Sequence, residues 1–284
     1  LPAVGAPFAY SGVNLTVQHL SLRSSFPFDL SAKLPGDGTL SLKGTAGPLN
    51  AKNAANTPFQ ATLALKHFDP VAAGAVPASQ GISMVVDLDA QMASDGAMLT
   101  SSGKIQAAHL QLARTGSPAP RPVQIDYAIS NNLAERTGRA KDVAIHTGSV
   151  AAHVTGGYRM TPQAVVLDLR LAAPNLPIDQ LQALLPAAGI SLPTGSQLRG
   201  GTLTANLAIT GPATATTIAG PVEIDNTTLA GFDLGSRIEG LKLFKSGGGT
   251  EIQKLSATIN ASPQITQLSN LDANLPQIGT ATGG

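Results

Sequence analysis

The side chains able to do chemistry are few and scattered. Five histidines, His19, His67, His109, His146 and His153, include no HxxxH or HExxH pair, the spacing with which two imidazoles on one helix face reach a zinc ion. His146 and His153 stand seven residues apart, which on a single strand puts them on opposite faces. There is no cysteine, which removes thiol nucleophiles, disulfides and zinc–thiolate sites. Asp87, Asp89, Asp126 and Asp168 invite an acid/base reading, yet each occupies the polar phase of an alternating segment, where a carboxylate meets water. "SGGGT" (246–250) is glycine-rich but lacks the lysine of a phosphate loop and reads as a turn. No GxSxG elbow activates any serine. The Asn-x-Ser/Thr sites at Asn14, Asn226 and Asn260 are what chance supplies in a chain rich in Asn and Thr. The expectation is a protein that is not an enzyme, with no metal site and no cofactor.

The charge balance removes another class. Lys and Arg number 18 against 17 Asp and Glu, and charged residues make up 12% of the 284, about half of the ~25% usual in soluble domains. A net charge of +1 without basic runs gives no electrostatic footprint for nucleic acid. No run of some eighteen apolar residues and no charged leader occurs. The start at Leu1 and the end at "GTATGG" suggest a piece of a longer polypeptide, with any membrane anchor outside it.

What must position these residues is one pattern written many times. In "GTLTANLAITGP", Leu203, Ala205, Leu207 and Ile209 alternate with Thr204, Asn206 and Thr210. "FPFDLSAKL" sets Phe26, Phe28, Leu30, Ala32 and Leu34 against Asp29, Ser31 and Lys33, and "TLSLKG" resumes after "PGDG" as a hairpin. The same period of two runs through "FQATLAL", "ISMVVDLDAQM", "VQIDYAI", "SVAAHVTG", "AVVLDLRL", "TIAGPVEID" and "LSATIN". Well over ten candidate strands emerge, separated by Gly, Pro, Asn and Ser.

Helical spacing is confined to "PIDQLQALLPAAG" and "LGSRIEGLKLF", with "FDPVAAG" as a single turn. The predicted fold is therefore mainly β: a long, curved, antiparallel, meandering sheet with one apolar face, plus two or three short helices. So few helices cannot cover a dozen strands. Either the sheet closes on itself as a sandwich or barrel, or it curls over a space that something else fills. The pattern alone leaves both open. About fifteen strands at ~4.8 Å make a ribbon of roughly 70 Å. With seven Phe, three Tyr and no Trp, the apolar positions are aliphatic.

The run "LQALLPAAGISLPTGSQLRGGTLTANLAITGP", followed by "IAGPVEIDNTTLAGFDLGSRIEGL", resembles the AsmA family of bacterial envelope proteins, and "FPFDLSAKLPGDGTLSLKGTAGPLN" and "TPFQATLALKHFDP" resemble its central repeats. Asn226, Leu229, Gly231, Phe232 and Leu234 match the family's strand-to-helix unit, and "LSNLDANLPQIGTATGG" its late strands. The resemblance divides the chain into a repeated groove segment, 1–172, and a C-terminal region, 173–284. It implies a periplasmic protein anchored in the inner membrane through a segment outside this chain, related to TamB and to chorein-type bridge proteins. It further implies an open β groove that carries lipid for outer-membrane biogenesis. Some members are tied instead to outer-membrane protein assembly, which keeps envelope proteins as possible partners and a scaffold or adhesin-like domain with a closed core as the alternative. No catalytic residue comes with it. In a lipid groove the acyl chains would meet Val165, Leu167, Leu169, Leu203, Leu207, Ile209, Val222 and Ile224.

Overall fold

The computed structural model describes residues 11–147, 150–234, 249–276 and 278–283. Sixteen strands follow one another: β1 (Ser11–Val17), β2 (Phe26–Leu34), β3 (Gly38–Ala46), β4 (Phe59–Phe68), β5 (Ser83–Ser94), β6 (Met98–Gln111), β7 (Val123–Asn132) and β8 (Thr137–Thr147), then β9 (Val150–Met160), β10 (Val165–Pro177), β11 (Gln197–Arg199), β12 (Thr202–Pro212), β13 (Thr217–Ala230), β14 (Gly249–Ala261), β15 (Thr266–Leu275) and β16 (Gly279–Gly283). Each pairs antiparallel with its neighbours in one sheet that runs from β1 to β16, with β11 beside β13. Among the described residues the two edge strands do not meet, so the sheet is open and the closed sandwich is not formed. Residues 172 and 173 both lie inside β10, and the sheet passes through that boundary unbroken.

The helical expectation shrinks. "PIDQLQALLPAAG" forms one α-helix, α1 (Ile178–Leu181), continued by a 3-10 turn, Gln182–Leu184. Pro186 cannot donate the next backbone bond, which stops the helix there. Two further 3-10 turns, Ala54–Asn56 and Ala78–Gln80, lie in connections, and 70–74 is the turn expected of "FDPVAAG". The second expected helix falls mainly on 235–248, outside the described residues. The "SGGGT" turn is overturned where it is described: Gly249 and Thr250 open β14. There Thr250 Oγ1 donates to the Phe232 carbonyl at 2.8 Å and accepts from the Leu234 amide at 2.9 Å.

Register turns the period of two into one continuous face. Cross-strand partners lead from Leu15 through Leu30, Leu42, Leu63, Ala90, Gly103, Tyr127, Val143, Val154 and Leu171 to Leu207. Beside it, Ala205 pairs with Val222 and Val222 with Ala257. The opposite face reads Asp29, Lys43, Thr62, Gln91, Ser102, Ala128 and Asp142 in one row.

Two backbone devices bend this ribbon. Several residues in the left-handed region sit at or beside bulges, among them His67, His109, Asn175 and Asn270 with φ near +50°, and each bulge adds local twist. At Gly220, on the apolar face with φ +151°, a Cβ would lie 2.1 Å from the Asn206 carbonyl oxygen. The β12 backbone leans inward there, and only glycine leaves room.

Little is buried outright. Most of the core is alanine, and among the described residues no large side chain is below 2% exposed. One cluster, Ala152, Ala173, Leu176 and Ala205, gathers Ile145, Leu171, Leu181, Leu203, Leu207 and Val222 around it. The accessible surface is 16763 Å², against about 11,300 Å² for a compact monomer of this mass. An open sheet with one uncovered apolar face contributes to the excess.

Candidate functional site

The candidate site is the apolar face of β10, β12 and β13, and the register decides which side chains meet there. Leu169 pairs with Ile209, and Ile209 with Ile218; Leu203 pairs with Ile224 and Leu207 with Leu171. Val222 sits opposite Ala205, Leu167 between Tyr158 and Gly211, and Val165 opposite Met160. All eight residues singled out in the sequence thus share one face of three neighbouring strands. Leu203, Leu207 and Val222 pack on the alanine cluster, while Val165, Leu167, Leu169, Ile209 and Ile224 are half-buried beyond it.

Several members of this surface lie outside the eight residues singled out in the sequence. Leu176, 3% exposed, comes onto the apolar face because the bulge at Asn175 shifts the register between Ala173 and Leu176. Ile178, 2% exposed, and Leu181 bring α1 against the long-loop end of the cluster. The "APN" before Leu176 carries the signal: a proline and an Asn that tolerates positive φ.

Two tyrosines bring hydroxyls to this face, and both are satisfied within it. Tyr158 Oη donates to Asn131 Oδ1 at 2.6 Å, and Tyr127 Oη shares a 3.0 Å hydrogen bond with Ser101 Oγ. Burial pushes the Tyr158 phenol above its ordinary range, partly offset by the Asn131 hydrogen bond. The face therefore offers hydrocarbon with few open polar groups.

The polar face holds the charges in cross-strand pairs. Lys43 meets Asp29 at 2.8 Å, Lys66 meets Asp89 at 2.8 Å and Lys254 meets Glu223 at 2.9 Å. The hydrogen bond to Asp89 raises the Lys66 ammonium, and the Lys254 bond lowers the Glu223 carboxyl. Partial desolvation, with Glu223 beside it, raises Asp225. His146 and His153 prove to lie on adjacent strands rather than one. Both point to the polar face, where His146 Nε2 contacts Asp126 at 2.7 Å and His153 Nδ1 contacts Asp142 at 3.0 Å. Asp87 accepts the His67 backbone amide at 2.7 Å, holding the bulge there.

Three long connections, those after β4, β6 and β10, lie on one rim, because these strands run the same way. The Leu112 amide donates to the Ala187 carbonyl at 2.8 Å, the Ser117 amide to the Pro186 carbonyl at 2.9 Å, and the Arg114 guanidinium to the Ser79 carbonyl at 2.8 Å. These bonds join three loops into a ledge. Apolar residues remain open at both ends of the ribbon, Leu15 at 62% and Leu268 at 56% exposed.

Among the described residues no group of three potential ligands is placed to hold a metal ion, and no helix is long and apolar enough to cross a membrane. The chain matches no protein-family model, no curated protein and no solved structure.

Proposed function

We propose that the chain is a non-enzymatic, lipid-handling segment in which acyl chains lie along the apolar face while the polar face meets solvent. The observation that carries this reading is the continuous row on the apolar face from β1 to β12, which no second layer opposes among the described residues. An acyl chain of about sixteen carbons pays roughly 12 kcal/mol to enter water at ~0.8 kcal/mol per methylene. A continuous aliphatic surface removes most of that barrier. The lining suits passage, since its aliphatic contacts are weak and repeated and the strand charges lie on the other face. Placement in the periplasm, anchorage to the inner membrane beyond this chain, and a role in outer-membrane biogenesis follow from the resemblance to the AsmA family and belong to the same proposal.

The test is native mass spectrometry of protein purified without detergent, joined to crosslinking with a fatty acid that carries a photoreactive diazirine. Bound phospholipid, with crosslinks at Leu167, Leu169, Leu207 or Ile209, is the expected result. Lipid-free protein whose crosslinks fall equally on both faces would overturn it, and would favour the scaffold reading in which the apolar face meets envelope proteins.

A further inference from the structure

We propose that the polar face carries a second, separate site: a depression over Gly157 that binds a small phosphate-bearing polyol through Arg139 and Arg159. Two cross-strand rows frame it. Ser130, Arg139, Gly157 and Asp168 form the first, and Asn132, Thr137, Arg159 and Val166 the second. All eight line one cavity of about 650 Å³, a volume in the range of small-molecule sites. These eight residues belong to the polar phase of β7 to β10, so the proposal does not rest on the lipid reading, although Gly138, Tyr158 and Leu167 of the other phase also line the cavity.

Gly157 makes the hollow. Its neighbours on this face carry side chains, but at Gly157 the sheet is bare, and an added Cβ would meet only the Gly138 carbonyl oxygen, at 3.6 Å. The gap follows from a missing side chain, not from crowded backbone.

The two guanidiniums give the hollow its chemistry. Arg139 is paired with Gly157, and Arg159 stands two residues further along the same strand, so they are diagonal neighbours within reach of one bound group. Like charges this close repel. Elsewhere on this face Lys43, Lys66, His146, His153 and Lys254 each hold a carboxylate within 3.0 Å. Among the described residues neither Arg139 nor Arg159 has such a partner, although Asp168 lines the same cavity. Two planar forks without a carboxylate match a tetrahedral oxyanion, which accepts a bidentate pair from each. The Thr137 and Ser130 hydroxyls, the Asn132 amide and the Asp168 carboxylate suit the hydroxyl groups of a polyol.

The experiment uses the full chain labelled with 15N, and follows the arginine Nε signals by NMR as glycerol 3-phosphate is added. Glycerol, sodium acetate and vesicles of phosphatidylglycerol are separate arms. Saturable shifts of the Arg139 and Arg159 signals with glycerol 3-phosphate, absent with glycerol and acetate, are expected. R139Q and R159Q should each weaken binding roughly tenfold, the loss of a charge-assisted pair. G157L fills the hollow with both charges kept and should abolish binding with the far-ultraviolet dichroism unchanged, whereas D168N should tighten it. Equal shifts with acetate, binding retained in G157L, or a response to vesicles alone would each overturn the site. The last outcome would mean a general attraction to an anionic surface.

Discussion

At the scale of single residues, the alternation assigns each side chain a face and so a distinct consequence. Leu167 and Leu207 share the apolar face, but only Leu207 packs on the alanine cluster. Leu207→Asp therefore buries a charge beside apolar neighbours and should cost about 2–3 kcal/mol of stability together with bound lipid. Leu167→Asp should remove lipid at a smaller loss of stability. Ala208→Asp, exposed on the polar phase, is the control and should change neither; urea unfolding and native mass spectrometry read both quantities. Tyr158 adds a pH dependence. Its phenol is raised by burial, so the unfolded chain loses that proton first as pH climbs past the ordinary value near ~10. The stability linked to this proton is complete below that value and is lost as pH rises through the folded pKa. The melting temperature of the native protein should accordingly fall more steeply as pH rises above about 10 than that of Tyr158→Phe.

At the scale of elements, the sheet depends on where its strands break as much as on where they run. Gln197 to Arg199 and Thr202 onward face β13 in one continuous register, Gln197 opposite Ala230 and Thr202 opposite Asp225. β11 and β12 are thus one lane interrupted at Gly200 and Gly201. Gly201 holds φ +76°, and a Cβ there would come within 2.4 Å of the Asp225 carbonyl oxygen. Gly201→Ala should destabilise the protein by about 2 kcal/mol through strain and crowding, whereas Gly157→Ala should stay within about 0.5 kcal/mol. Urea denaturation of both variants checks the contrast.

These breaks also explain what the sequence conceals. The ten strands with clean alternation are legible because leucine, valine and isoleucine keep one phase throughout. β6 hides because its apolar phase carries Ser101 and Gly103, so the period of two fades at its centre. β8 hides because a register shift between Ala140 and Val143 moves its apolar residues out of step. The eight face residues could be read directly, since they occupy uninterrupted stretches. Leu176 could not, because a bulge has no signature in hydropathy alone, and the arginine pair over Gly157 could not, because it joins residues from two strands.

At the scale of the whole molecule, each strand pairs only with its flanking strands, and α1 packs on β10 and β11. Stability in such a chain is a sum of nearest-neighbour terms, as in repeat proteins. The shape follows: fifteen successive lanes at ~4.8 Å span roughly 70 Å, and small-angle scattering should give a radius of gyration well above the ~19 Å of a compact chain of this length. The dynamics follow as well. The buried cluster lies at β9, β10 and β12, while β1 and β16 are exposed along their whole length. Opening should therefore begin at both ends, with hydrogen exchange fastest in β1, β2, β15 and β16 and slowest from β9 to β13. Leu171→Ala tests the coupling. It removes a side chain from the middle of the ribbon, at about 2 kcal/mol, and should speed exchange in β9 to β12 while leaving the outer strands as they were, because those already open without the centre. Equal acceleration in every strand would instead make the sheet a single cooperative unit, whose apolar face opens and closes as one.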